Sequence, residues 1–539
     1  MAGGLLLAAA FPKFSLAGLA WVAPGVMLAA GLGSSRGEAF RLGYVAGLIH
    51  FLVALYWLLF MPFPAGAAVG WLALSAYVAL YPAAWVCGGC ALVQPWLERD
   101  LAPGAGPAWL RLARRLASLN LVEGWVWALG CAALWVALEM IRGRFLSGFP
   151  WNFLGASQYQ LLPVIQLAAV TGVYGVSFLV VWFSVSLLLA VARILSRPEL
   201  RMGWATELFL PLVVLAVVSG FGLHQIFQRP ATTRELKVAL AQPSIPQTLI
   251  WDPRENATRF RGLMELSRMA LSGKPDLLVW PEAALPSFDE ESYEAMTNMI
   301  SSNRVWMVFG ADDAQTRGDK TNYFNGAFLF RPDGKYAGVY HKRRLVIFGE
   351  YVPLADWLPF LKYLTPIDGG FTPGDRPARF ELSEPRAKFS VLICFEDVFP
   401  HLAPTCVEDD TDFLLNLTND GWFGQSAAQW QQAAGAVFRA VENGLPLVRC
   451  TNNGLTCWID ANGGLHEVYF GDSTDIYGAG FKAARIPLLT PGQKRTPTFY
   501  HDHPDLFGWC CVGLSAALMG WRFRDVVARG TGFRPNRAD

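Results

Sequence analysis

At 539 residues the chain exceeds what one ordinary hydrophobic core organises, so two or more domains are expected. Only 16% of the residues are charged, 53% are hydrophobic and the mean hydropathy is +0.30. A soluble protein carries about 25% charge, so this composition points to a membrane protein. The formal net charge of +1, with no basic patch interleaved with aromatics, argues against a nucleic-acid partner.

Taken in order, the chain opens with two apolar runs, Gly3–Ala10 and Ala17–Leu32, broken near Pro12-Lys13. No Lys or Arg precedes the first, as a cleaved signal peptide would require, so two short membrane helices with a tight turn are expected. Longer apolar runs follow at Phe40–Phe60, Ala65–Val93, Val122–Ile141, Val164–Ala192 and Leu208–Phe227, and a last one at Leu506–Trp521. A bilayer-crossing helix needs about 20 apolar residues, and counting all the runs gives eight spans.

Basic residues orient them. Arg36 and Arg41, then Arg99, Arg111, Arg114 and Arg115, then Arg193, Arg197 and Arg201, and finally Arg522, Arg524, Arg529, Arg534 and Arg537 fill alternate loops. The intervening loops carry only Lys13, Arg142 and Arg144. With eight spans and both termini cytoplasmic, every rich loop falls on the cytoplasmic side. The predicted domains are a membrane domain of seven helices over 1–228, a polar domain over 229–504 on the face away from the cytoplasm, which in a bacterium is the periplasmic one, an eighth helix over 505–523 and a basic tail over 524–539.

Within the polar region, strands alternate with helices, which predicts a layered α/β domain. Strands are expected at Leu236–Ala241, Leu277–Trp280, Val305–Ala311, Tyr323–Phe330, Tyr336–His341, Phe389–Ile393, Phe413–Leu417, Pro446–Thr451 and Thr456–Ile459, and helices at Thr258–Leu271 and Ala427–Asn443. Nine cysteines show no disulfide framework, and Cys87-Gly-Gly-Cys90 and Cys510-Cys511 lie in apolar runs, where packing explains them. No phosphate loop or zinc motif is present, and no metal or cofactor is expected.

Three of these strands end on a reactive side chain: Glu282 after Val279-Trp-Pro, Lys342 after Tyr340-His, and Cys394 after Val391-Leu-Ile. Strand ends on one edge of a sheet converge, so the loops there build sites. A carboxylate beside a thiol can take its proton, and an ammonium can favour a thiolate or hold an oxyanion. The three together suit acyl transfer through a thioester.

Trp280-Pro-Glu282, His341-Lys342 followed by Phe348-Gly-Glu350-Tyr-Val-Pro353, and Cys394-Phe-Glu396 are similar to the triad motifs of the nitrilase superfamily. Thr418-Asn-Asp-Gly-Trp422-Phe-Gly424, Thr451-Asn-Asn-Gly454, Glu139-Met-Ile-Arg142-Gly and Ser147-Gly-Phe-Pro-Trp151 extend the likeness. With the apolar runs in front, the chain resembles the membrane-bound apolipoprotein N-acyltransferase family. The resemblance implies an α-β-β-α sandwich joined to an eight-helix bundle, in the inner membrane of a bacterium. It implies Glu282 as base, Cys394 as nucleophile, and Lys342 with the Phe395 N–H as oxyanion donors. Glu350 would orient the lysine and Glu396 would orient or tune the cysteine. Asn419 and Trp422 would shape the pocket, and Trp251 would touch acyl chain or headgroup. The implied partners are a phospholipid donor, a diacylglyceryl apolipoprotein acceptor and the bilayer, served by a monomer. A membrane-anchored amidase acting on a small molecule would use the same triad but has no need of eight helices. Phe348–Gly374, rich in Pro and Gly, reads as a lid over lipid entry.

Overall fold

The computed structural model describes residues 1–98, 107–196, 204–228, 234–285, 289–353, 357, 370–471 and 473–530. Most of the expected lid, including Pro359 and Pro366, and the loop or tail arginines Arg99, Arg197, Arg201, Arg534 and Arg537 lie outside the described residues. Backbone contacts divide the chain into one unit of Met1–Leu55, Leu72–His224 and Asp505–Asp539, and a second of Tyr56–Trp71 and Gln225–Pro504.

The first unit is helical. Among the described residues, five helices are long and apolar enough to cross a membrane: Arg36–Ala54, Pro64–Leu97, Leu121–Arg142, Val173–Ser196 and Ala205–Gln228. The expectation of eight full spans is not reached on length. The two N-terminal runs form helices of 8 and 9 residues, Ala2–Ala9 and Ala23–Gly31, linked through a 3-10 turn at Ala17–Trp21. At 1.5 Å per residue each rises only about 12–14 Å, against about 30 Å of hydrocarbon. They pack tightly all the same: a Cβ on Gly4 would lie 2.1 Å from the Ala46 carbonyl oxygen, so only glycine allows that approach. In the last helix, Leu506–Gly530, the apolar stretch stops at Arg522.

Two expected spans also shift. The run Val164–Ala192 breaks into single turns at Leu162–Ile165 and Ala168–Thr171 before the long helix Val173–Ser196. Gly172, at φ +66°, makes the break, a conformation that favours glycine. The run Ala65–Val93 forms two consecutive helices, Pro64–Val78 and Leu80–Leu97, and Pro82 supplies no N–H to the Val78 carbonyl across the joint.

The second unit carries two six-stranded sheets. In chain order the strands are β1 Arg234–Gln242, β2 Leu277–Val279, β3 Trp306–Arg317, β4 Lys320–Phe330, β5 Tyr336–His341, β6 Arg379–Leu382, β7 Ala387–Ile393, β8 Phe413–Thr418, β9 Leu447–Thr451, β10 Cys457–Ile459, β11 Leu465–His466 and β12 Gly480–Leu488. The sheets run β12-β1-β2-β3-β4-β5 and β11-β10-β9-β8-β7-β6, with β1–β3 parallel in one and β7–β9 parallel in the other.

Alternation along the strands decides the layers. Leu236, Val238 and Leu240 of β1 and Leu277 and Val279 of β2 enter a core shared with Phe389, Val391 and Ile393 of β7 and Phe413, Leu415 and Leu417 of β8. The intervening Ala239, Ala241 and Leu278 face the other way, onto Leu263, Met264, Met296 and Ile300 of helices Asn256–Leu271 and Glu290–Asn303. Helix Ala428–Asn443 packs by β9 and β10. The result is the expected α-β-β-α order of layers, with the C-terminal ends of β2 and β7 released from the same core.

Candidate active site

Glu282 follows β2 in a tight turn. The Gly310 N–H donates to the Pro281 carbonyl at 3.1 Å, and a Cβ on Gly310 would stand 2.6 Å from the Glu282 Cα. Ala283 takes φ +51° to complete the turn, which buries the carboxylate to 7% exposure. Lys342 follows β5 and is 1% exposed. Its Nζ donates to Glu282 Oε1 at 3.1 Å and to Glu350 Oε1 at 2.9 Å. Asn325, in the middle of β4, donates its Nδ2 to the same two oxygens at 2.8 and 2.9 Å. The Val346 N–H fixes the other oxygen of Glu350 at 2.8 Å. Burial alone would lower the Lys342 pKa, but Glu282 and Glu350 outweigh it and hold the ammonium well above the ordinary lysine range.

Cys394 follows β7 at φ +55°, an uncommon conformation for a non-glycine residue that costs about 1–3 kcal/mol. It throws the chain directly into the single 3-10 turn Cys394–Val398. The first N–H groups of a helical turn have no partner within it, and that of Phe395 belongs to this set. The Lys342 Nζ lies 5.7 Å from the centre of the Phe395 ring.

Burial raises the Cys394 thiol well above the ordinary cysteine range. Glu282 and Glu350 raise it further, while Lys342 and the Thr418 hydroxyl oppose them. These shifts favour a resting thiol over a thiolate. Its alkylation by iodoacetamide at pH 7.5 is expected to be at least about tenfold slower than that of an ordinary exposed cysteine, and to climb with pH beyond 9. Peptide mapping measures this, and fast labelling at neutral pH would instead indicate a thiolate paired with Lys342.

Glu396 joins the two sheets. Its Oε1 accepts from the N–H groups of Arg343 and Arg344 at 2.7 and 2.9 Å, just past Lys342. Its Oε2 accepts from the Ile393 N–H and the Tyr340 hydroxyl, both at 2.8 Å. One fully buried carboxylate thus sets the turn that carries the lysine against the strand that carries the cysteine. Glu396→Gln replaces acceptor lone pairs with an NH₂ facing N–H donors. About 3 kcal/mol of destabilisation and about a hundredfold loss of turnover are expected, read from thermal midpoint and initial rate. Asp397 next to it pairs with Arg449 and accepts from Gln432 Nε2 at 3.1 Å; burial lifts its carboxyl to about 6.

Trp251 and Trp422 meet in a second group, and Asn419 caps the 3-10 turn that carries Trp422. The two indoles contact edge to face with centroids 5.1 Å apart, and Trp251 is 42% exposed. Asn419 is buried and already committed: it donates to Gln247 Oε1 at 2.8 Å, and its oxygen accepts from Asn452 Nδ2 at 2.9 Å and the Gly421 N–H at 3.2 Å. It shapes the loops that hold the tryptophans. Asn325 and Tyr340 were missed in the sequence. A polar Asn in the apolar run Tyr323–Phe330 was the available signal for the first; Tyr340 looks like any strand aromatic.

Residues 3–186 match the family model described as the apolipoprotein N-acyltransferase N-terminal domain, and 237–475 match that of carbon-nitrogen hydrolases. The chain is 35% identical to an apolipoprotein N-acyltransferase of Geobacter metallireducens, covering 97% of this chain and 94% of the relative. It is 30% identical to one of Vibrio vulnificus, covering 97% and 96%. Among solved structures, an amidase of the nitrilase superfamily from Nesterenkonia aligns at 15% identity and a TM-score of 0.35, covering 48% of this chain and 94% of that one.

Proposed function

The chain belongs to the apolipoprotein N-acyltransferase family, and from that premise we propose how its own residues carry the reaction. The enzyme moves an acyl chain from the sn-1 ester of a phospholipid to the N-terminal amine of a diacylglyceryl-cysteine on an apolipoprotein. Glu282 takes the Cys394 proton as the sulfur attacks the ester carbonyl. The Lys342 ammonium and the Phe395 N–H hold the oxyanion. As the intermediate collapses, the C–O bond breaks, Glu282 returns the proton to the leaving oxygen, and lysophospholipid departs from an acyl-thioester. The acceptor amine then attacks that thioester, Glu282 takes the amine proton, and the thiol is released with the new amide. Glu350 and Asn325 position Lys342 and Glu282; Glu396 positions Cys394. The exposed indole of Trp251, with Trp422, offers an apolar surface to lipid.

The observation that carries this reading is the sharing of the Lys342 Nζ between Glu282 and Glu350, at 3.1 and 2.9 Å, where all three charges act on the Cys394 thiol. Long apolar helices in the same chain favour a lipid over the small-molecule amidase reading. An alkyne-tagged phospholipid is expected to label Cys394 as a thioester released by neutral hydroxylamine and by a diacylglyceryl lipopeptide. Absence of any covalent adduct under turnover conditions would overturn the mechanism.

For placement, we infer an inner-membrane protein with the catalytic unit on the periplasmic face and both termini cytoplasmic. The arginine-rich loops support it. The two short N-terminal helices do not alter the sidedness: crossing twice as a pair or dipping in and out returns the chain to the same face. A single chain carries every group the reaction needs, which suits a monomer.

A further inference from the structure

Strand β3 runs on past the site. β2 pairs with it only as far as Val308, and β5 reaches only Gly326 of β4, yet β3 and β4 stay paired out to Arg317 and Lys320. Their hairpin therefore projects beyond the end of its sheet. Alternation fixes its faces. Trp306 and Val308 of β3, with Ala327 and Leu329 of β4, point into the core between the sheets. Further out, the same face carries Asp312 and Asn325, which stand directly opposite each other across the two strands. Asn325 is the residue whose amide holds Glu282 and Glu350. Asp312 thus stands beside the site, and it is exposed where Asn325 is buried. The protein around it, and then the charges of Glu282 and Glu350, lift its carboxyl to about 6, so at neutral pH it is an open carboxylate on the rim.

The backbone of the hairpin is open on the side that β2 leaves. Even-numbered residues of β3 turn their polar groups that way: the Val308 carbonyl accepts from the Trp280 N–H at 2.9 Å, and Gly310 donates to the Pro281 carbonyl at 3.1 Å and accepts from the Ala284 N–H at 3.0 Å. The alternation continues to Asp312, Ala314 and Thr316, whose outward N–H and C=O groups have no backbone partner among the described residues. Such an edge takes an extended peptide as an added strand. We propose that this hairpin docks the acyl acceptor: Asp312 meets its N-terminal ammonium, and the edge from Asp312 to Thr316 pairs with the peptide residues that follow. The identity of the acceptor rests on the acyl-transfer reading. Its fit rests on charge and shape. Glu282, Glu350 and Asp312 set three carboxylates against the one ammonium of Lys342, which favours an incoming cation, and a phospholipid has no peptide backbone to lay on the edge. Asp312 acts on arrival; the amine gives its extra proton to water before it attacks the thioester.

The test measures binding to the full chain carrying Cys394→Ala, in detergent, by fluorescence anisotropy. The probe is a diacylglyceryl-cysteinyl tetrapeptide with a dansyl group at its C-terminal end and its amine either free or acetylated. Acetylation is expected to weaken binding about tenfold, and by less than about twofold once Asp312→Asn is added, while Asp312→Glu keeps most of the difference. Ala314→Pro removes an edge N–H that faces away from β4; it is expected to weaken the tetrapeptide about fivefold and to leave dansylated diacylglyceryl-cysteine, which has no peptide, unchanged. A merely structural role for either residue would weaken all the probes alike. The same response to acetylation with and without the Asp312 carboxylate would overturn the ammonium site, and undiminished tetrapeptide binding in Ala314→Pro would overturn the edge. If Ala314→Pro gives no monodisperse protein, a tetrapeptide with N-methylated amides replaces it, and full affinity for that probe overturns the edge equally. These outcomes are separate from lipid labelling of Cys394 in the wild type: loss of labelling removes the thioester, whereas failure here removes the hairpin and leaves the thioester standing.

Discussion

Cys394→Ser is expected to lower acyl transfer by about 10³-fold or more and to leave no hydroxylamine-labile adduct. The reason lies in the proton. Burial, with Glu282 and Glu350 beside it, already pushes the thiol well above its ordinary range, so in the proposed mechanism sulfur reacts only as Glu282 removes its proton. A serine hydroxyl is a far weaker acid than a thiol, and the same carboxylate cannot activate it to a comparable degree. The substitution removes one polarisable atom and keeps the turn at φ +55°, so the fold is expected to survive. In a strain with this variant as the sole copy, mass spectrometry of a mature lipoprotein N-terminus is expected to find the diacylated form. Continued triacylation at the wild-type level would rule out the thioester.

Lys342→Met is expected to cost both stability and rate. The ammonium lies 3.1 Å from one carboxylate and 2.9 Å from the other, at 1% exposure. Removing it leaves two acids sharing only the Asn325 amide. Breaking a buried ion pair from one side costs about 3–5 kcal/mol. Losing the proposed oxyanion donor is expected to cost a further factor of about 10²–10³ in turnover. Arginine is not expected to rescue, because its planar fork does not fit a site built around one compact charge.

The pH dependence has a definite sign. The folded-state pKa of Lys342 is raised, because Glu282 and Glu350 overcome burial. Its stabilisation is therefore fully present below the unfolded-state value of about 10.4 and is lost as pH rises through the higher folded-state value. The gap in thermal midpoint between wild type and Lys342→Met is expected to be constant from pH 6 to 9 and to narrow only in strong alkali. The chain has two units, so the midpoint is an operational measure here. A variant with wild-type turnover and midpoint would remove Lys342 from the site.

Several features were legible in the chain because they are local. Apolar runs of about 20 residues announce membrane helices without any partner, since the bilayer supplies the solvent. The reactive ends of β2, β5 and β7 stand out because a buried strand does not end on Glu, Lys or Cys without cause. Motif likeness then joined these three residues, far apart in the chain, into one site. Other features depended on distant partners. β12 reads as mixed charge and apolar, and only pairing with β1, the opposite end of the domain, makes it a strand. β6 is a four-residue partner of β7 and carries little signal alone. The single turns before Val173 hide in an apolar run whose hydropathy does not mark the break.

What the sequence determined by itself was composition, strand and helix period, and the candidates for the reacting groups, all of which depend on neighbours a few residues away. Only the tertiary structure decided which groups share a proton or a charge. Glu396 looks like an acid beside a cysteine, yet its four hydrogen bonds tie the Lys342 turn to the Cys394 strand across two sheets. Asn325 looks like a polar accident in a strand, yet it bridges Glu282 and Glu350. Hydrogen bonds act over about 3 Å, and residues tens to hundreds apart in sequence come that close only when packing of the apolar faces has brought the sheets together.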